Sequence, residues 1–257
     1  MKVHFLGTCA GTEPMPGRKH ASVAVEVADR IYWFDAGEGC SYTAHLMGLD
    51  LLKVGKIVIS HTHMDHMGGL GNLLWNIRKL SGLQKQIPYQ GGNEIYIPDM
   101  PAWEGLYQML CYTEGQFETP YPVQAYQVDA GVLFDDGYVK VTAFCNTHMK
   151  RWEKDRCISY SYLIEADGKR LVYSGDLGSY SELDPVIGDY CDGLIIETGH
   201  FGIDAVYEYA AEKPIGHVFF SHNGREILNG PEASQEKVER YFKGKATICT
   251  DGLTVTL

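Results

Sequence analysis

The chain has 257 residues, of which 45% are hydrophobic, and this apolar content predicts a packed core and excludes a disordered chain. Its 22 basic and 33 acidic residues give a net charge of −11, which disfavours a nucleic acid as partner because binders of polyanions present a basic surface. No run of 18 apolar residues and no apolar leader occurs, so we expect no membrane span and one domain of residues 1–257.

The cysteines are odd in number, widely spaced and without a CxxC pair. This pattern predicts reduced thiols and a cytoplasmic protein rather than a disulfide framework or a structural zinc site. The seven residues are Cys9, Cys40, Cys111, Cys145, Cys157, Cys191 and Cys249.

Short apolar, β-branched segments bounded by Gly, Asp, Pro or Ser recur along the chain and predict strands. These segments are 3–6, 22–27, 31–34, 56–59, 95–97, 139–144, 158–165, 171–173, 193–197, 217–220 and 247–248. Helical stretches between them are 39–47, 67–80, 102–110, 205–212 and 234–241. This order predicts an α/β fold of mixed sheets covered by helices on their outer faces, with no internal repeat of motifs.

Segment 84–127 has the weakest secondary-structure pattern of the chain, since it is rich in Gly, Pro and Tyr. We interpret it as an irregular surface excursion, with a lid or a partner surface as the alternative.

The sequence Ser60-His61-Thr62-His63-Met64-Asp65-His66 directly follows a predicted buried strand. Burying a carboxylate beside imidazoles is costly unless a cation binds them. In an extended loop His61 and His63 point the same way, and a helix that starts near Asp65 turns Asp65 and His66 towards a second point. We therefore predict a metal site, and a donor set of imidazole and carboxylate without thiolate suits Zn²⁺, with Mn²⁺ or Fe as alternatives.

This HTHMDH sequence resembles the HxHxDH signature of the metallo-β-lactamase superfamily. The segments Phe5-Leu6-Gly7-Thr8 and Phe34-Asp35-Ala36-Gly37-Glu38-Gly39 are similar to its ribonuclease Z-like, phosphodiesterase branch. Tyr173-Ser174-Gly175-Asp176, Asn146-Thr147-His148 and Phe220-Ser221-His222-Asn223 match later motifs in the same order. The resemblance covers nearly the whole chain and implies a four-layer αββα sandwich of two mixed sheets flanked by helices.

The resemblance also implies a site for two divalent metal ions. It places His61, His63 and His148 on one ion, places Asp65, His66 and His222 on the other, and makes Asp176 the bridge. Asp35 would orient a ligand without binding metal.

Two divalent ions, Asp65, Asp176 and a bridging hydroxide together carry a charge of about +1, which favours a small anionic substrate such as a phosphodiester. The catalytic candidates are Asp65 and His200. His200 would protonate the leaving group, although the usual branch motif has its histidine before the glutamate, whereas here Ile196 precedes Glu197. A structural role for His200 is the alternative.

Arg18 and His20 lie in a segment that resembles a substrate-binding loop of the branch, and a solvated hairpin tip is the alternative interpretation. The mixed charge run 150–156 is interpreted as a solvated loop.

The favoured function is a phosphodiesterase for small or cyclic phosphodiesters. A tRNA 3′-end endonuclease ranks second, because only 27 residues separate His148 from Asp176 and leave no room for a protruding arm. An ester, lactone or thioester hydrolase ranks third, and a non-catalytic metal-binding protein last. A homodimer is expected only from the family.

Overall fold

The computed structural model describes residues 1–149 and 156–257. Residues 150–155 of the charge run lie outside the described residues. The described strands are β1 Lys2–Gly7, β2 Ser22–Val27, β3 Arg30–Phe34, β4 Val54–Val58, β5 Asn93–Ile97, β6 Val123–Gln127, β7 Gly131–Asp135, β8 Lys140–Cys145, β9 Tyr160–Ala166, β10 Lys169–Tyr173, β11 Cys191–Glu197, β12 Ile215–Ser221, β13 Ala246–Ile248 and β14 Thr254–Thr256.

The described α-helices are α1 Cys40–Leu46, α2 Met64–Met67, α3 Leu70–Gln84, α4 Met100–Cys111, α5 Asp184–Ile187, α6 Ile203–Ala210, α7 Arg225–Asn229 and α8 Pro231–Phe242. Three short 3₁₀ helices are described as well, at Leu51–Lys53, Glu114–Phe117 and Tyr180–Leu183.

The described strands form two mixed sheets. The first sheet has the order β14-β1-β2-β3-β4-β5-β6, and the second has the order β13-β12-β11-β10-β9-β8-β7. Each sheet combines antiparallel pairs such as β1 with β2 and parallel pairs such as β3 with β4. The strand β14 comes from the second half of the chain but pairs with β1 at the edge of the first sheet.

Three apolar layers separate four layers of secondary structure. Between the two sheets pack side chains such as Phe34, Tyr162 and Phe219. A second cluster lies between the first sheet and the helices α1, α3 and α4, and a third lies between the second sheet and the helices α5 to α8. The predicted αββα sandwich is thus confirmed.

The interior strand β4 shows why this arrangement follows from the sequence. All five of its residues are buried, which requires cover on both faces of the sheet. The helix α3 supplies cover on one face, since Leu70, Leu73, Leu74 and Ile77 recur at helical spacing and are buried. Lys85, with φ of 53°, ends this helix in the left-handed conformation.

Segment 84–127 differs from its interpretation as an irregular excursion. It contains β5 and α4, which agree with the predicted strand 95–97 and helix 102–110, and also β6, which was not predicted; together they extend the first sheet to its edge and cover it. The strand β6 gave no apolar signal because it is an edge strand with the sequence Val-Gln-Ala-Tyr-Gln, which leaves its side chains partly or fully exposed.

The prediction of reduced cysteines is wrong for one pair, because the structure has a disulfide between Cys145 and Cys157. Their wide sequence spacing concealed this pairing. The antiparallel pairing of β8 with β9 brings the end of β8 beside the segment that leads into β9, and the two Cα atoms lie 5.8 Å apart, a normal disulfide distance. The other five cysteines are free.

Among the described residues, no helix combines the length and the apolar character needed to cross a membrane.

The buried strand β4 gives a stability prediction. Replacing the fully buried Ile57 with alanine should lower the free energy of unfolding by about 2–5 kcal/mol, because it leaves a cavity between the sheet and its helices. Urea denaturation measures this change. The matched control is Leu83→Ala on α3, whose side chain is 80% exposed, and it should change stability by less than about 0.5 kcal/mol. Equal losses of unfolding free energy in the two variants would contradict the assignment of Ile57 to the buried layer between the first sheet and its helices.

Candidate metal centre

Polar residues of the site follow the carboxyl ends of strands from both sheets. His61, His63, Asp65 and His66 come after β4 in the first sheet, on the loop that enters the short helix α2. From the second sheet, His148 follows β8, Asp176 follows β10 and His222 follows β12. Carboxyl ends of parallel strands meet at one edge, which explains why residues so distant in the sequence converge here.

The first group of converging residues contains His61, His63, His148 and Asp176, whose potential ligand atoms all lie within 4.8 Å of one another. His63 Nδ1 is 3.0 Å from His61 Nε2 and 3.3 Å from His148 Nε2. Asp176 Oδ2 is 3.7 Å from His61 Nε2 and 3.6 Å from His148 Nε2. One cation between these atoms could bind them all.

The second group contains Asp65, His66, Asp176 and His222, again with potential ligand atoms within 4.8 Å of one another. His222 Nε2 lies 3.1 Å from Asp65 Oδ2, and His66 Nε2 lies 3.3 Å from the same oxygen. Asp176 Oδ1 is 3.3 Å from both of these imidazole nitrogens. The structure therefore brings together both sets of residues that the sequence motifs indicated.

Asp176 is the residue that the two groups share, and it faces each with a different oxygen. Its position depends on Gly175, which has φ of +55° and lies so close to neighbouring backbone that an added Cβ would be 2.8 Å from the carbonyl oxygen of Tyr160. Only glycine meets both conditions without strain. The turn after β10 thus requires glycine directly before the shared carboxylate.

The residues fit a divalent cation. His66 Nε2 and Asp176 Oδ1 are buried and have no hydrogen-bond partner in the described structure, although buried polar atoms normally have one. Burial opposes the charged carboxylate, but the imidazoles of His222 and His66 outweigh it and hold the pKa of Asp176 well below its ordinary value. A buried anion with nitrogen and oxygen atoms aimed at a common point is the environment that a metal ion needs.

Asp35 lies behind His66, as the resemblance implied for a residue that orients a ligand. Its Oδ2 accepts hydrogen bonds from His66 Nδ1 and from the hydroxyl of Tyr173, each at 2.7 Å. The backbone N–H of Ser60 donates to Oδ1 at 2.6 Å. When a cation takes the place of the proton on Nε2, the hydrogen bond to Asp35 keeps the remaining proton on Nδ1 and leaves the lone pair of Nε2 facing the centre.

His200 also reaches the centre. Its Nδ1 lies 2.8 Å from Glu197 Oε2 and 3.9 Å from Asp176 Oδ2, and its ring centroid is 4.8 Å from that of His148. Glu197 is buried and also accepts a hydrogen bond from the backbone N–H of Leu177. The side chain of His200 is 44% exposed, so it lies between the buried carboxylates and the solvent.

Two residues of the centre have a left-handed backbone without being glycine. Asp35 has φ of 53° and His222 has φ of 46°. Such conformations are uncommon outside glycine and are retained where the surrounding contacts fix them, often at functional sites.

A cavity lies above the centre, and its lining includes His63, Asp65, Asp176, His200, His222 and Arg225. Arg18 and His20 do not line this cavity. Arg18 Nη1 donates to Thr8 Oγ1 at 2.8 Å and to the carbonyl oxygen of Cys249 at 3.1 Å. His20 lies with Arg18 beside a separate cavity of about 110 Å³. Their role in substrate binding stays a prediction.

Several residues of the site were not predicted from the sequence. Ser60 and Tyr173 contact Asp35, Glu197 contacts His200, and Arg225 lines the cavity above the centre. Glu197 was open to prediction, since a carboxylate at the end of an apolar strand resembles the pattern at Asp35. Arg225 was open to prediction from its position three residues after His222.

The comparison with known families decides the classification. The family described as "Beta-lactamase superfamily domain" matches residues 30–223. The chain belongs to this superfamily. The superfamily resemblance indicated by HTHMDH is therefore confirmed, and the match runs from β3 to the residue after His222.

A curated relative is ribonuclease BN from Escherichia coli O1:K1, which is 31% identical over 173 residues, 66% of this chain and 51% of that protein. The chain spans about half the length of the curated relatives it matches, 45% and 51% for two of them.

Two solved structures show the shared fold. Human tRNase Z, short form, has a TM-score of 0.73, 21% identity and coverage of 100% and 99% of the two chains. The metallo-beta-lactamase fold protein YhfI from Bacillus subtilis has a TM-score of 0.74, 19% identity and coverage of 99% and 98%.

The shared carboxylate gives a prediction about metal content. Asp176→Ala should lower the metal content of purified protein from about two equivalents towards zero, since one side chain serves both groups. His148→Ala should retain about one equivalent, because it faces only the first group. Elemental analysis after metal supplementation measures both. The control is His45→Ala on α1, an exposed histidine outside the centre, which should retain the wild-type content. Equal metal content in Asp176→Ala and wild type would disprove the bridging role.

Proposed function

We propose that the chain is a metal-dependent hydrolase that binds two divalent ions, Zn²⁺ being the best fit, and cleaves small or cyclic phosphodiesters. The observation that carries this proposal is the position of Asp176, whose two oxygens face two separate groups of potential ligands. His61, His63 and His148 would hold one ion with Asp176, and Asp65, His66 and His222 would hold the other. Residues 1–257 would act as one domain, in the cytoplasm.

Bound ions of this kind lower the pKa of water and supply positive charge to the transition state of hydrolysis. The protein's own residues orient that chemistry. Asp35 holds the proton on Nδ1 of His66 and thereby directs Nε2 to the centre. Burial and the Asp35 carboxylate raise the pKa of Tyr173 well above its usual range, so its hydroxyl remains a donor to Asp35.

His200 would protonate the leaving group. Its Nδ1 is engaged by Glu197 Oε2, so Nε2 is the nitrogen available to a substrate. The hydrogen bond to Glu197 raises the pKa of His200 despite partial burial, which favours the protonated imidazole that a general acid requires. His200 also lines the cavity above the centre, where a leaving oxygen would lie.

The size of the cavity favours a small substrate. Its volume is about 340 Å³, at the lower end of the range of about 300–1,000 Å³ that small-ligand sites occupy. The lining combines histidines and carboxylates with small residues such as Gly11 and Gly199. The net charge of −11 opposes a long polyanion.

Cleavage of precursor tRNA is the second candidate, because the curated relatives include ribonuclease Z and ribonuclease BN. Against it stands the interval between His148 and Asp176. Its described part consists mostly of β9 and β10, which pair as neighbouring strands of the second sheet. A homodimer is part of this proposal only as a family-level expectation.

A substrate panel tests the proposed function. The metal-loaded protein should hydrolyse bis(p-nitrophenyl) phosphate and a cyclic nucleotide, and should cleave neither a lactone nor a precursor tRNA efficiently. The physical reasons are the small cavity and the acidic surface. Release of nitrophenol, chromatography of nucleotides and gel analysis of the RNA measure the outcomes. Site-specific removal of the tRNA tail at physiological salt would reverse the ranking of the two candidates.

The assignment of His200 predicts a dependence on the leaving group. A nitrophenolate leaves readily without a proton, whereas an alkoxide needs one. His200→Ala should therefore slow hydrolysis of an alkyl phosphodiester by about 10²–10⁴-fold and a nitrophenyl phosphodiester far less. The ratio of kcat/KM values on the two substrates measures this effect, with metal content determined in parallel. His217→Ala, outside the centre, is the matched control. Equal losses on both substrates at full metal content would remove His200 from the proton transfer.

A further inference from the structure

The rim of the cavity carries a cation that the proposed mechanism does not use. Of the described residues that line the cavity, Arg225 is the only one that is an arginine or a lysine. It lies at the start of α7, three residues after His222. The side chain of Arg225 is 58% exposed, whereas Asp176 and His222 are 2% and 7% exposed. Arg225 therefore marks the mouth of the cavity, and the candidate metal ligands form its floor.

The guanidinium of Arg225 is occupied by a neighbouring carboxylate. Nη1 donates to Glu13 Oε1 at 2.9 Å, and Nη2 donates to Glu13 Oε2 at 2.6 Å. This parallel pair is the geometry in which arginine recognises a carboxylate or a phosphate. Glu13 is itself 58% exposed and lies on the loop between β1 and β2, so water reaches both partners. Because both partners are exposed, water and salt screen their attraction, and another anion can compete with Glu13 for the guanidinium.

The charges on the cavity floor explain why a rim cation matters. The side chains of Asp35, Asp65, Asp176 and Glu197 are buried or nearly so, and they carry four negative charges when ionised. Two divalent cations would carry four positive charges, so the excess of about +1 counted with Asp65, Asp176 and a hydroxide alone is removed once Asp35 and Glu197 behind the floor are included. Arg225 adds a positive charge outside this balance.

We propose that Arg225 binds a second anionic group of the substrate, separate from the scissile phosphodiester, and that Glu13 occupies its guanidinium until the substrate displaces it. This inference rests on the proposed function and narrows the substrate class to small phosphodiesters with a terminal phosphate or carboxylate. Such a substrate spans the cavity, with the scissile group at the floor and the second anion at the mouth. The role of Arg225 is recognition, and its effect is therefore mainly on KM.

Steady-state kinetics of metal-loaded protein test the inference with three probes. The probes are the dithymidine phosphodiester TpT and its singly phosphorylated forms pTpT and TpTp. The wild type should have a lower KM for at least one phosphorylated probe than for TpT. Arg225→Ala should raise that KM by about ten- to a hundredfold, the value of a charge-assisted bidentate contact, and should raise the KM for TpT far less. Arg225→Lys keeps the positive charge but cannot donate two parallel hydrogen bonds, so its KM for that probe should lie between the values of the wild type and Arg225→Ala.

Glu13→Gln distinguishes recognition from a structural tie. If Glu13 competes with substrate, the variant should lower the KM for the same probe by about two- to fivefold, the value of an exposed ion pair. If the pair merely fixes the loop, Glu13→Gln and Arg225→Ala should raise KM alike. The control for net charge is Arg240→Ala on α8, an exposed arginine outside the cavity, which should leave all three KM values unchanged.

The outcomes separate the two proposals. Failure to hydrolyse TpT, pTpT, TpTp and bis(p-nitrophenyl) phosphate would refute the proposed phosphodiesterase. Hydrolysis of TpT without any preference for a phosphorylated form, or a rise in KM for Glu13→Gln, would leave the phosphodiesterase intact and overturn the role of Arg225.

Discussion

The need to satisfy one buried carboxylate, Asp176, governs the arrangement of the whole site. Its side chain is 2% exposed, and an isolated charge at that depth would be strongly unfavourable. Imidazoles can surround it only if strands from both sheets end at the same edge, since three of the six histidines nearby follow β4 of the first sheet and the other three follow β8, β11 and β12 of the second sheet. The sandwich of sheets supplies that edge. The layers of apolar side chains fix the positions of the strands, and the strands in turn hold the imidazoles and carboxylates close together.

The two sheets show a common plan that no repeated sequence motif indicated. In each sheet, read from one edge, three antiparallel pairings precede three parallel ones. Equivalent positions also carry related chemistry. Asp35 follows β3 and Asp176 follows β10, while the cluster of His61 follows β4 and Glu197 ends β11. A shared architecture thus places carboxylates and imidazoles twice, and the centre lies where the two sets meet.

The sequence was sufficient for those features that local chemistry determines. Apolar β-branched runs such as Lys56–Ile59 predicted buried strands, and the period of Leu70, Leu73 and Leu74 belongs to a helix that covers them. The HTHMDH segment predicted a metal site because histidine and aspartate at that density have few other uses. Convergence of His148, Asp176 and His222 came only from the family resemblance, since nothing local says which distant strand ends share an edge.

Long-range pairing accounts for what the sequence did not predict. The hydrogen bonds of Tyr173 and Ser60 to Asp35 depend on β3, β4 and β10 meeting, and their residue types are common in strands. The disulfide between Cys145 and Cys157 depends on the antiparallel pairing of β8 with β9. The strand β6 depends on its neighbour β5 for hydrogen bonds, because its own polar, exposed side chains do not favour burial.

The crossing of β14 to the first sheet links the two halves of the molecule. Its register pairs Thr256 with Lys2, and the backbone N–H of Leu257 donates to the carbonyl oxygen of Met1 at 3.1 Å. Closing so long a loop is slow, so during synthesis the edge of β1 stays open while the second sheet assembles. Unpaired edge strands recruit other chains. A nascent or partly unfolded molecule that has lost β14 would therefore expose the unpaired backbone of β1 to other chains.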